Sequence, residues 1–235
     1  MLRAVRIVRS RATEFRINPD RIGVMGSSAG GHLAASSGTL FDHASGGTGA
    51  PLDSENARPD FLILMYPVIT MKDPAAHAGS RTNLLGENPS AQNLELMSLE
   101  SQVTAKTSPT LLIHTQEDSS VPVENSIVFY QALTRANVPA EMYLFERGSH
   151  GMGMRNGLGT ASNWHKRAEE WLAARGLLDA EKTASITFEK VAAVVPDGHL
   201  PAVSGGTTAA TLVENPESKF QNLQCGSDAT PQLRN

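Results

Sequence analysis

The sequence predicts an α/β fold, a parallel sheet with helices on both faces, and two observations carry that prediction. Four short apolar runs, residues 22–25, 61–69, 110–115 and 141–146, lack the polar alternation of a half-solvated strand, as strands covered on both sides do. Between them lie stretches whose apolar residues recur every three or four positions, the period of an amphipathic helix. Strand then helix, repeated, implies parallel pairing through right-handed crossovers. A chain of 235 residues with 40% hydrophobic content is long enough to bury the core this requires.

Taken in order, Leu2, Val5, Val8, Ala12 and Phe15 make one apolar helix face, and the opposite face carries Arg3, Arg6, Arg9 and Glu14. That opposite face is expected to be solvated. The same Arg-rich start could pass for an organellar transit peptide, but it has neither the apolar core nor the cleavage site of a secretory signal. Asn18 and Pro19 then supply a turn into the first strand, residues 22–25, and a helix follows Ser28. Residues 42–59 are rich in Gly, Ser, Pro and Asp and are expected to form a surface loop. Residues 72–108 are long enough to form a small excursion over the sheet, of the kind that shapes a substrate entrance. In 122–139, Ile127, Tyr130, Leu133 and Ala136 fall on one helical face. The last helix, around residues 163–176, turns Ala168, Trp171 and Leu172 inward and stops at Gly176. From about residue 179 the character changes: 186–195 could form a strand, whereas 204–211 and 224–235 are poor in apolar residues and are expected to be irregular or partly disordered.

Composition excludes several classes of function. A net charge of −4 provides no basic field for nucleic acid or an anionic membrane. No run of about 18 apolar residues offers a membrane span, so a soluble chain is expected. The single cysteine, Cys225, rules out an intrachain disulfide, and seven scattered histidines show no metal-ligand spacing, so neither metal nor other cofactor is implied.

The chemistry concentrates at "GSSAG", residues 26–30, which matches G-x-S-x-G. A strand that turns abruptly into a helix holds its apex serine in a strained conformation, and side chains two positions to either side collide unless they are glycine. Ser28 is therefore the candidate nucleophile, and Ser27, out of frame, serves as its internal control. At a helix N-terminus the amide of Ala29 is a natural oxyanion donor. A serine needs a base, and the base an orienting acid. Asp118 follows the third apolar run and His150 the fourth, so both sit at carboxyl ends of parallel strands, which share one edge of the sheet. Asp118 could instead cap a helix and His150 could be an exposed loop residue. Glu117 is a lesser candidate for the acid; Asp53 and Asp60 look like turn residues, and His32 and His114 like packing or hydrogen-bonding residues.

With "NPDRIGVMGSSAGGHLA", "GSRTNLLGENPS", "HTQEDSSVPVENS" and "ERGSHG" in view, the chain resembles the alpha/beta-hydrolase superfamily, in its carbohydrate-esterase-like branch of acetyl xylan esterases and feruloyl-esterase-like proteins. The likeness covers roughly residues 3–178. It implies an ester hydrolase acting on small acyl groups on sugars through an acyl-serine intermediate, with Ser28 as nucleophile, His150 as general base and acid, and Asp118 orienting the histidine. Members of this branch place further strands and an H-G-G-type oxyanion loop ahead of the elbow. No such loop occurs in residues 1–20, so the resemblance implies the later part of a hydrolase domain over 1–178, N-terminally incomplete, with 179–235 as an extension of no recognised counterpart. The elbow strand would then expose unpaired backbone at one edge. A secreted or periplasmic location would require a signal peptide upstream of Met1; oligomeric state is left open. Two rivals stand beside the esterase: a prolyl-oligopeptidase-like peptidase, which shares the elbow and the order of the triad, and a non-catalytic polypeptide, either truncated or completed by a partner chain.

Overall fold

A computed structural model of the chain describes residues 1–178, 191–193 and 209–214. In chain order the elements are α1 (Leu2–Ser10), α2 (Ala12–Phe15), β1 (Gly23–Ser27), α3 (Ser28–Thr39), β2 (Phe61–Met65), α4 (Ala78–Leu85), α5 (Ala91–Met97), β3 (Thr110–Thr115), α6 (Glu124–Arg135), β4 (Ala140–Phe145), α7 (Trp164–Ala174), β5 (Val191–Ala193) and β6 (Ala209–Glu214). They build one sheet in the order β4-β3-β2-β1-β6-β5. The four strands from β1 to β4 are parallel, and β6 and β5 add an antiparallel pair.

Alternate residues of the parallel strands feed two cores, as the two-residue period of a strand requires. Val24, Leu62, Leu64 and Leu112 face one side, where Val5 and Val8 of α1, Ala34 and Ala35 of α3, and Phe129 and Leu133 of α6 cover them. Phe61, Ile63, Met65, Leu111 and Ile113 face the other, against Trp164, Ala168 and Trp171 of α7. Each fully buried aliphatic or aromatic side chain contributes about 1.5–3 kcal/mol. The helices therefore do lie on both faces.

Several local expectations are corrected. The N-terminal helix is two helices, divided at Arg11, whose backbone leaves helical values at φ −108° and ψ 20°. Its polar face is solvated at Arg3 and Glu14 but not between them: Arg6 is buried, and the Arg6 and Arg9 side chains are each only 9% exposed. Loop 42–59 folds over α1 and supplies the reason. Arg6 donates to the carbonyls of Gly46 and Glu55 and pairs with Asp53; Arg9 donates to those of Pro19, Asn56 and Arg58 and pairs with Asp60. Asp53 and Asp60 thus anchor that loop as well as turning it. The second apolar run ends as a strand at Met65, since Tyr66 adopts φ +36° and Pro67 has no amide hydrogen to continue the ladder.

The inward face of α6 is centred on Asn125, Ser126, Phe129, Ala132 and Leu133, while Ile127, Tyr130 and Ala136 lie toward its margin. Asn125, fully buried, accepts from the amides of Ile69 and Thr70 and donates to the carbonyls of Ala75 and Pro122. At the far end of the chain, β6 begins inside the stretch expected to be irregular and pairs with β1 from Gly23 to Gly26, so the expected bare edge of β1 is covered. β5 falls within the segment expected to form a strand; residues 204–208, 224–235 and Cys225 lie outside the described residues. Among the described residues no helix is long and apolar enough to cross a membrane.

Candidate active site

β1 ends at Ser27 and α3 begins at Ser28, so the chain reverses direction with no residue between. Ser27 is extended, at φ −123°, and Ser28 stands at φ +56°. A non-glycine residue there stores on the order of 1–3 kcal/mol of strain, which the surroundings must hold in place. They do so at two points. The Ser28 carbonyl accepts from the amide of Val68, at 3.0 Å, and a Cβ on Gly26 would sit 2.1 Å from the Gly30 carbonyl oxygen. That oxygen is backbone and cannot move aside. We expect Gly26→Ala to lower stability by about 1–3 kcal/mol and to distort the turn, read as the urea midpoint. Gly47→Ala, whose Cβ would meet nothing nearer than 3.6 Å, is the matched control; equal midpoints would show that the turn has room for a side chain.

Three strand ends meet at this turn. His150, in the loop after β4, has Nε2 2.8 Å from Ser28 Oγ and Nδ1 2.7 Å from Asp118 Oδ2. Asp118, in the loop after β3, has no exposed side-chain surface, whereas the His150 side chain is 24% exposed. Its other oxygen, Oδ1, accepts from the amides of Ser120 and Val121, each at 2.9 Å. Burial alone would push the Asp118 carboxyl up; hydrogen bonds from His114, His150 and the amides of Val121 and Ser120 outweigh it and hold the group well below the usual carboxylate range. Asp118 is therefore an ionised acceptor. The proton of His150 then belongs on Nδ1, which leaves the Nε2 lone pair facing the serine hydroxyl.

The histidine loop is held from both ends. Gly148 donates its amide to Glu117 Oε2, and its carbonyl accepts from Thr115 Oγ1, at 2.6 Å. Tyr66 packs edge-on to the His150 ring, with centroids 4.9 Å apart. Glu117 thus fixes the loop that carries the base and does not face the imidazole. His114 contacts Asp118, whereas His32, buried, reaches the Met97 carbonyl and ties α3 to α5; burial pushes its imidazole down, partly countered by that bond. Ala29 is the second residue of α3, where amides have no intrahelical acceptor.

Tyr66 and Ser126 are the residues sequence reasoning missed. Pro67 argues for an extended Tyr66, so nothing local announces its left-handed backbone, and Ser126 reads as a surface position of a helix. A shallow apolar cavity of about 170 Å³, lined in part by Leu2, Leu33, Leu40 and Met97, lies between α1, α3 and α5 and includes none of the three side chains. No group of metal-binding side chains occurs among the described residues. An alcohol facing the lone pair of an imidazole that is itself held by an ionised carboxylate can lose its proton as the oxygen attacks a carbonyl carbon.

Comparison with known proteins gives consistent likenesses. The family model BD-FAE matches residues 1–133. Endo-1,4-beta-xylanase B of Butyrivibrio fibrisolvens is 42% identical over 154 residues, 66% of this chain and 24% of that protein. An acetylxylan esterase of Xylanibacter ruminicola is 30% identical over 201 residues, 82% of this chain and 38% of that one. Among solved structures, an acetyl ester-xyloside bifunctional hydrolase from Caldicellulosiruptor lactoaceticus is 43% identical, with a TM-score of 0.71, covering 76% of this chain and 65% of its own. The chain therefore spans between about a quarter and two thirds of the length of these relatives.

Proposed function

Because the chain belongs to the BD-FAE family, we propose that it is a serine ester hydrolase that removes small acyl groups, acetyl foremost, from carbohydrates. The observation that carries the proposal is the unbroken run of hydrogen bonds from Ser28 through His150 to Asp118. The names of two relatives, an acetylxylan esterase and an acetyl ester-xyloside hydrolase, support the acyl-sugar substrate class.

In the first half-reaction Ser28 Oγ attacks the ester carbonyl carbon while its proton passes to His150 Nε2. The resulting imidazolium faces the Asp118 carboxylate, which stabilises it without taking the proton. Charge developing on the carbonyl oxygen is met by the Ala29 amide and the N-terminal end of α3. Collapse breaks the bond to the sugar oxygen, which leaves with the proton from Nε2. Water, deprotonated by the same nitrogen, then attacks the acyl-serine and releases the carboxylic acid and Ser28. Small esters suit a site whose base is partly open to solvent.

The test is a side-by-side profile on an acetylated xylo-oligosaccharide, a nitrophenyl acetate and a peptide nitroanilide. The proposal expects kcat/KM for the esters to exceed that for the amide by roughly 100-fold or more. Cleavage of the amide at a comparable rate would transfer the chain to the peptidase reading, and no release from any of the three above a Ser28→Ala blank would remove the hydrolase reading.

A further inference from the structure

Asp118 is gripped from a side that the hydrolytic mechanism does not use. His114, the fifth residue of β3, is fully buried, and its ring bridges three groups. Nε2 lies 3.1 Å from the Val121 carbonyl oxygen and 3.4 Å from Asp118 Oδ2; Nδ1 lies 2.8 Å from Ser126 Oγ. Nε2 thus faces two acceptors and must carry a proton, while Nδ1 is left to accept from the Ser126 hydroxyl. The oxygen it approaches is the one that also receives His150 Nδ1. Oδ1, by contrast, is occupied by two backbone amides.

We propose that His114, oriented by Ser126, is a positioning residue of the site. Its Nε2–H, bonded to the Val121 carbonyl, also bears on Asp118 Oδ2 at 3.4 Å, which steadies that oxygen toward His150 and withdraws part of the negative charge that His150 senses. This rests on the assignment of Ser28, His150 and Asp118 to catalysis. Two effects on the base follow. Without that contact, Oδ1 stays on the Ser120 and Val121 amides but Oδ2 keeps only His150 as a partner, so the carboxylate can rock about that anchor and His150 is held less firmly. Without the second donor, more of the carboxylate charge falls on His150, which favours the imidazolium, and imidazolium cannot act as a base. The other groups in contact with the base stay constant: Ser28 from α3 and Tyr66 from the end of β2; of the charged groups near its loop, Glu117 holds the Gly148 amide and the Arg155 guanidinium lies beside Gly151.

The experiment compares His114→Leu, His114→Gln and Ser126→Ala with the parent chain. It reads kcat and KM for a nitrophenyl acetate across pH and, in parallel, the titration of the His150 imidazole by NMR. His114→Leu is expected to lower kcat roughly tenfold with KM little changed, and to move the acid limb and the His150 titration midpoint to higher pH. His114→Gln restores an N–H donor and is expected to return the limb toward its parental position. Ser126→Ala, which leaves the ring but frees its orientation, shifts the limb in the same direction by less, and it decides the question if His114→Leu does not fold. A limb and midpoint unmoved in folded variants, whatever the loss of rate, would overturn the proposal and leave His114 a packing residue. Parent activity no greater than a Ser28→Ala blank would instead defeat the hydrolase assignment, and the NMR titration would still decide whether His114 acts on His150.

Discussion

Ser28→Ala is expected to lower turnover of a short-chain nitrophenyl acetate by roughly 10⁴-fold or more, while Ser27→Ala stays within about threefold of the parent chain. The two residues are adjacent and chemically identical, so only the backbone separates their fates. Ser27 is the last residue of β1, extended and paired in register with Met65. Ser28 has crossed to φ +56°, and that crossing places its Oγ 2.8 Å from His150 Nε2. Removing the Ser28 hydroxyl removes the atom that forms the acyl bond; removing that of Ser27 takes nothing from the reaction path. Initial rates should be read on proteins with matched thermal unfolding, since alanine at position 28 keeps the backbone strain and leaves stability nearly unchanged. Equal loss from the two substitutions would dismiss Ser28 as nucleophile.

The same backbone feature shows what local sequence can convey. Gly26, Ser28 and Gly30 describe a turn that only one steric solution satisfies, and the solution lies within five residues. Asp118 and His150 are legible for a related reason: each follows an apolar run that buried pairing obliges to be a strand, and parallel strands deliver their carboxyl ends to one edge. The parts that local pattern did not convey depend on partners distant in the chain. Arg6 and Arg9 look solvated until Asp53, Asp60 and the carbonyls of loop 42–59 close over them. Asn125 and Ser126 are polar residues on the buried face of α6, and their burial is tolerable only because the amides of Ile69 and Thr70 and the ring of His114 await them. A hydropathy count places such residues outward. The pairing of β6 with β1 joins segments nearly the whole chain apart, and no periodicity records it.

Asp118→Asn carries the second large effect, and the hydrogen bonds around the carboxylate decide its direction. Oδ1 accepts from the amides of Ser120 and Val121, so an asparagine must keep its carbonyl oxygen there and turn its NH₂ toward His150 and His114. An NH₂ group facing His150 Nδ1 can only donate. The imidazole must then carry its proton on Nε2, which presents N–H instead of a lone pair to Ser28. Turnover near neutral pH is expected to fall roughly 10⁴-fold, the scale that the wrong histidine tautomer produces in a serine triad, with the fold retained. The carboxylate also sets the acid limit of stability. Its folded-state value lies below the unfolded one, because His114, His150 and two amides outweigh burial. The native state thus binds fewer protons than the unfolded chain, and the stabilisation is complete above about pH 4, where an unfolded aspartate is ionised. It declines as pH falls from there toward the folded-state value. Asp118→Asn has no such proton to take up, so its urea midpoint should change less than that of the parent between neutral pH and pH 3. An asparagine variant that keeps more than a tenth of parental activity would mean that His150 takes its tautomer from another partner. Parallel acid profiles of the two midpoints would mean that the ionised state of Asp118 contributes nothing to folding.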